Sequence, residues 1–156
     1  LPTNKSSGVE IKMTQRVEVN FPALSAYLDE VKGRGFMWHV HDCFMFTNEA
    51  FRRMYGSGWA DDWADKYIDK DAGLYKRRDQ LVYTFGHTTL EDAIDSKLTR
   101  VNYVPPRGAL VTAKAPDKWV IDRALGISVG NKAAFLGKSR MIFLPIRRIE
   151  SAWIRE

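Results

Sequence analysis

Cysteine is all but absent: Cys43 is the only one in 156 residues, which excludes an internal disulfide and any cysteine-rich zinc module. Histidine is scarce as well, limited to His39, His41 and His87. No apolar run approaches the roughly 20 residues needed to cross a bilayer, so no membrane span is expected. Leu1 to Lys12 is polar and lacks the apolar core of a secretory signal. Leu1 is not an initiator residue, and Met13 can serve as a natural start. No glycine-rich run suits a phosphate. The acidic run Asp61, Asp62, Asp65, Asp69 and Asp71 lacks the alternating oxygen ligands and central glycine of a calcium loop. It reads as a solvated helix face with Lys66 and Lys70 as partners.

What the chain does have is core material. Hydrophobic residues make up 45% and charged residues 28%, with five Trp, six Tyr and eight Phe, the balance of an ordinary globular domain. A chain of this size buries about two-thirds of its unfolded surface and needs no staples. The net charge of +5 permits anionic partners without specifying one. Its basic residues form small groups, Arg52-Arg53, Lys76-Arg77-Arg78 and Arg147-Arg148. None carries the interleaved aromatics of a single-strand binder, so no specific nucleic acid is expected.

Residues 1–15 read as a flexible arm and 16–156 as one domain. A first helix is expected from Phe21, capped by Asn20 with Pro22 in its first turn, where Leu24, Tyr27, Leu28 and Val31 recur at helical spacing. A second runs from Asp42-Cys43 to about Tyr55, closed by Gly56. A third spans Trp59 to Tyr67, its aromatics serving as core or interface anchors. A fourth starts at Thr88 or Thr89, with Thr88 and Glu91 in capping-box spacing, and reaches about Leu98. After Pro105-Pro106 come short runs rich in branched and aromatic residues: 109–112, 119–121, 125–129 and 141–144. Pro145 ends the last strand, and Ile146 to Trp153 is expected to form a short helix. Helices first and strands later give an α+β domain with an antiparallel sheet.

The richest stretch runs from Phe36 to Phe46 (FMWHVHDCFMF). A cysteine at a helix N-terminus meets the positive end of the macrodipole, which favours thiolate and makes Cys43 a candidate nucleophile. The alternative is a small buried hydrophobe. His41, two residues away, is a weak candidate base; loop imidazoles bonded to backbone or water are the plainer reading for His39 and His41. His39, His41 and Cys43 lack the second spaced pair of a metal site, so neither a metal nor a cofactor is expected. His87 reads as lying near a helix cap.

Trp38 followed by Asp42-Cys43 at the head of an amphipathic helix resembles the signature of the NlpC-type cell-wall peptidases, a papain-like cysteine hydrolase group. More narrowly, the chain resembles an uncharacterised NlpC-like family found among siphophage and prophage tail genes. The motifs shared with it are Leu24 to Leu28, Phe36 to Cys43, Pro106 to Gly108, Leu125 to Gly130, Phe143 to Pro145, and Ala152-Trp153. They extend over about residues 21–154.

The resemblance implies a papain-like fold in which the Cys-headed helix packs on a C-terminal antiparallel sheet. It also implies that the catalytic histidine belongs where Ala124 stands, immediately before Leu125-Gly126-Ile127. On strand alternation, Ala124, Gly126 and Ser128 are expected to form the face meeting Cys43. Ala133 to Leu136 offers no polar residue to orient an imidazole, and Gly108-Ala109 replaces the Gly-Asp of the turn. The expectation is therefore a virion component of the phage tail tip, assembled in the bacterial host cytoplasm, with a degenerate active site. Its partners would be other phage tail proteins. The alternative is an active hydrolase cutting peptidoglycan peptides during phage entry, with Cys43 as nucleophile.

Overall fold

A computed structural model describes residues 18–35, 37, 41–64, 89–114 and 123–156. The expected arm at 1–15, the loop residues Trp38 and His39, His87, the strand at 119–121 and the helix beyond Ala64 lie outside the described residues.

Helix α1 is Phe21–Val31. The Asn20 side chain accepts the Ala23 N–H at 3.0 Å, and Pro22 occupies the first turn, where a missing N–H costs nothing. Its buried residues, Leu24, Tyr27, Leu28 and Val31, form one stripe of period 3.6. Helix α2 is Cys43–Tyr55. Asp42 caps it by accepting the Met45 N–H at 2.8 Å, and Gly56 closes it in the left-handed region at φ 89°.

Helix α2 packs on α1 and on the strands β3 (Arg123–Ser128) and β4 (Lys132–Leu136), so it is buried on several sides. Phe46 stacks on Tyr27 of α1, Phe44 meets the rings of Trp59 and Trp63, and Ala50, Phe51 and Met54 are sealed from solvent.

Past α2 the chain is held by polar bonds rather than by a helix. Asn48 donates to Asp61 at 2.8 Å and accepts the Ala60 N–H at 2.9 Å, while the other Asp61 oxygen accepts the Gly58 N–H. Within the described residues the expected third helix is only a 3-10 turn, Asp61–Trp63. Asp61 is spent tying down the Gly58 loop, and Trp59 and Trp63 pack edge to face, with Trp59 donating to the Thr47 hydroxyl at 3.1 Å. They are core anchors, as expected.

Helix α3 is Leu90–Asp95, shorter than expected. Its cap is Thr89 accepting from the Asp92 N–H, one residue later than the Thr88–Glu91 pairing. After Leu98 the chain turns directly into strand β1 (Thr99–Val101), which no local pattern in the sequence marks.

The remaining strands are β2 (Leu110–Lys114), β5 (Met141–Pro145) and β6 (Ile149–Ile154). All six form one antiparallel sheet in the order β1-β6-β2-β3-β4-β5. The architecture is α+β. The last segment corrects an expectation: Ile146–Arg148 is a 3-10 turn, and the residues expected to continue a helix form β6. Alternation decides it. Trp153 and Ala152 are both buried, on opposite faces of the sheet, which a helix of this amphipathicity cannot achieve but a strand between β1 and β2 does.

That three-residue turn also shapes the sheet. In a flat sheet β5 and β6 would lie four strand spacings apart, about 19 Å, whereas the chain from Pro145 to Ile149 reaches at most about 14 Å. The sheet must therefore curl, helped by the register shift between Thr112 and Ala113 where β2 meets β6. Curling creates two cores. Leu110, Leu125, Ile127, Ala134, Met141 and Trp153 face the helices. Val111, Ala113, Ala133, Phe135 and Ala152 face the concave interior. That interior is narrow, which is why alanine dominates it and why Gly126 stands beside Phe135. A Cβ on Gly126 would overlap that ring and the Ala134 carbonyl.

Candidate functional site

Cys43 is the first residue of α2, behind its capping carboxylate. It packs against the helix-side core, and the backbone N–H groups of Leu125 on β3, Cys43 and Phe44 lie where they favour its thiolate form. Leu125 is free to do this because the β3–β4 register begins one residue later, at Gly126↔Phe135. The strand bearing Ala124 and Leu125 therefore does run past the thiol.

The side chains it presents there are not those expected. Leu125 and Ile127 belong to the helix-side core, whereas Ala124 packs into the concave interior with Phe135 and Ala133. The faces of β3 are thus the reverse of the expectation that Ala124, Gly126 and Ser128 would meet Cys43. The reason is that both faces of β3 are buried, so no polar face marks which side is out. The larger aliphatics go to the roomier helix interface and the smallest residues to the curled interior. An imidazole at position 124 would project away from Cys43. Leu125 and Ile127 are the described β3 side chains in the core against which Cys43 packs.

The electrostatics follow. Burial pushes the Cys43 thiol up to about 12, and the neighbouring Asp42 carboxylate pushes the same way; the three backbone N–H groups only partly offset this. At neutral pH Cys43 is a thiol.

His41 is nearly buried. Its backbone pairs with Met37 through hydrogen bonds of 2.9 and 2.7 Å, closing a tight loop. Its ring lies edge-on to Phe46, centroids 5.9 Å apart. Burial depresses its pKa first and the Arg34 cation second, against an opposing pull from Asp42, so the imidazole is neutral. Among the described residues its Nε2 atom is buried with no hydrogen-bond partner. A second buried, unpartnered polar atom is the hydroxyl of Thr112, whose residue is the cross-strand partner of Leu125. The sequence singled out neither Thr112 nor Leu125; only the register of β2 on β3 brings them beside one another.

Among the described residues no group of three His, Cys, Asp or Glu side chains is placed to hold a metal ion, and no helix is long and apolar enough to cross a membrane.

The family described as a domain of unknown function (DUF6950) matches residues 15–154. The chain belongs to that family. The match begins beside the end of the arm expected from the sequence and takes in α1, α2 and the whole sheet, so the DUF6950 unit includes both the Cys-headed helix and the strand it packs on. No curated protein matches the chain.

Proposed function

We propose that this DUF6950 chain is a structural or assembly component of a phage tail tip, built on an NlpC-like, papain-type fold whose catalytic centre is not assembled. The observation that carries the non-enzymatic reading is the state of Cys43: burial and Asp42 raise its thiol to about 12, and Ala124, the position expected to hold the base, belongs to the core on the other face of the sheet from the one Cys43 packs against, whereas a cysteine hydrolase needs a base to form thiolate and to protonate a leaving group. The helix-then-sheet order, and a strand that runs past the head of the cysteine helix, support the papain-like comparison. Placement in a virion, with other tail proteins as partners, rests on the resemblance of the motifs from Leu24 to Trp153.

The test is genetic and biochemical together. Deleting the gene from a phage or prophage that carries it should abolish normal tails in electron micrographs. Cys43→Ala should restore them to the level of the unaltered chain. Release of peptides from purified sacculi by the intact protein, abolished by Cys43→Ala, would instead establish the peptidoglycan hydrolase and overturn the proposal.

A further inference from the structure

Strand β5 is one edge of the sheet, and its hydrogen-bonding parity can be worked out residue by residue. The β4–β5 turn closes with the Gly137 N–H donating to the Arg140 carbonyl at 2.8 Å. In the register Leu136↔Met141, Phe135↔Ile142, Ala134↔Phe143, hydrogen-bonded and non-bonded pairs then alternate. Met141, Phe143 and Pro145 direct their backbone groups away from β4. Two observations agree with this parity: the Met141 N–H donates outward to the Lys32 carbonyl at 3.0 Å, and Pro145 has no N–H to offer β4. The Phe143 N–H and carbonyl remain as an open pair, unmatched among the described residues.

Beside that pair lies a groove of about 610 Å³ lined by Lys32, Gly33, Arg140, Met141, Ile142 and Phe143, and the Phe143 ring is 49% exposed. Its surroundings are of one sign. From Asn131 to Ile149 the chain contains Lys132, Lys138, Arg140, Arg147 and Arg148 and no acidic residue, and all five side chains are exposed. Among the described residues, the Asp29 carboxylate is bound to Lys32 at 2.9 Å.

We infer that the free edge of β5 docks an extended, acidic segment of a partner protein, which adds to the sheet as a further strand. An open backbone pair selects an extended polypeptide over other anions, the exposed Phe143 ring supplies apolar contact for alternate side chains, and the basic rim supplies the sign. A second copy of this chain would bring the same basic rim against itself. The inference does not depend on the tail assignment, since a strand can dock here whether or not Cys43 is a nucleophile.

The probe is a fluorescein-labelled, end-capped heptapeptide alternating valine and glutamate, titrated with the full chain and read by anisotropy. Binding should fall at least tenfold in three cases: with lysine replacing glutamate in the peptide, with the peptide N-methylated at alternate amides, and with the Lys138→Glu/Arg140→Glu variant. Phe143→Pro removes the open N–H and should do the same. If that variant does not melt like the parent, the N-methylated peptide carries the backbone test. Hydrogen exchange gives a direct readout, with the Phe143 amide exchanging freely alone and protected at least tenfold with peptide. No binding, or equal binding of the N-methylated peptide, overturns the inference. So does tighter binding of an oligothymidylate lost with the same variants, or a dimer in sedimentation that Phe143→Pro abolishes.

Discussion

Alkylation of Cys43 tests the electrostatic reasoning most directly. An ordinary thiol of pKa 9.0 is about 10% thiolate at pH 8, and one raised to about 12 is ~0.01%, a roughly 1,000-fold difference in reactive species. Nucleophilicity rises with basicity, with a Brønsted slope of about 0.4–0.5, and recovers ~20- to 30-fold over three units. Native Cys43 should therefore react with iodoacetamide about 30- to 50-fold more slowly than the same residue in guanidinium, before any steric exclusion. Mass spectrometry of time points from pH 6 to 10 measures this. The native rate should rise tenfold per pH unit throughout, with no plateau.

Asp42→Asn keeps a good capping side chain and removes the negative charge that raises the thiol, so it should speed alkylation at every pH. Stability gives the thermodynamic counterpart. Above pH 9 the unfolded thiol ionises while the folded one stays protonated, so the native state binds more protons and stability falls as pH rises toward 12, at no more than ~1.4 kcal/mol per unit from this group. Cys43→Ala should remove that component of the alkaline slope. An alkylation rate that levels off below pH 8 would refute the reasoning, because it would require a thiolate stabilised by a cation near the sulfur.

Trp153 is fully buried, donates its indole N–H to Asp95 at 2.8 Å and lies under the Arg100 guanidinium; Trp153→Ala should cost about 3–5 kcal/mol in urea unfolding, with Trp153→Phe much milder. Gly126→Ala places a methyl in the Phe135 ring and should cost about 1–3 kcal/mol, whereas the double change Gly126→Ala/Phe135→Leu should recover part of the loss. Asp61 is pushed up by its burial but held below the usual carboxylate range by Asn48, the Gly58 N–H and Arg52. Its contribution is therefore present above about pH 4 and lost as pH falls through its depressed native value, so Asp61→Asn should flatten the acid limb of a stability–pH curve. An imidazole at Leu125 should raise the alkylation rate of Cys43 near pH 7, and one at Ala124 should leave it unchanged; the opposite ranking would put the faces of β3 the other way round.

The helices were legible because their signals are local. Asn20 with Pro22, Asp42 and Gly56 each act within one turn of their own position, and the stripe from Leu24 to Val31 needs one packing face. The strands at 110–114, 123–128 and 141–145 were legible as branched runs between turn residues, whereas 132–136 was expected only through the resemblance. Two elements were not. The three residues of β1 carry no pattern of their own, and β6 contains a tryptophan and isoleucines at spacings that suit either element; both become strands through pairing across large separations, Thr99↔Ile154 and Leu110↔Trp153. At the site, the sequence located the thiol and the strand passing it. It could not say which face of that strand meets the thiol, because curling the sheet buries Ala124 as well as Leu125.

The state of the Cys43 thiol follows from its neighbours on the helix as much as from the strand beside it. A helix N-terminus carries roughly half a positive charge, and on that ground alone Cys43 should be acidic. But the helix begins there only because Asp42 caps it, and the cap brings a full negative charge to within one residue of the sulfur. Burial raises the thiol first and the residue that makes the helix start raises it second, while backbone N–H groups at the helix start act the other way and offset only part. Burial and Asp42 both raise the thiol, an effect separate from which residue stands at position 124. A histidine introduced on β3 therefore tests geometry, while Asp42→Asn tests charge, and because both act on the same sulfur their effects on the alkylation rate should be coupled rather than additive in a double-mutant cycle.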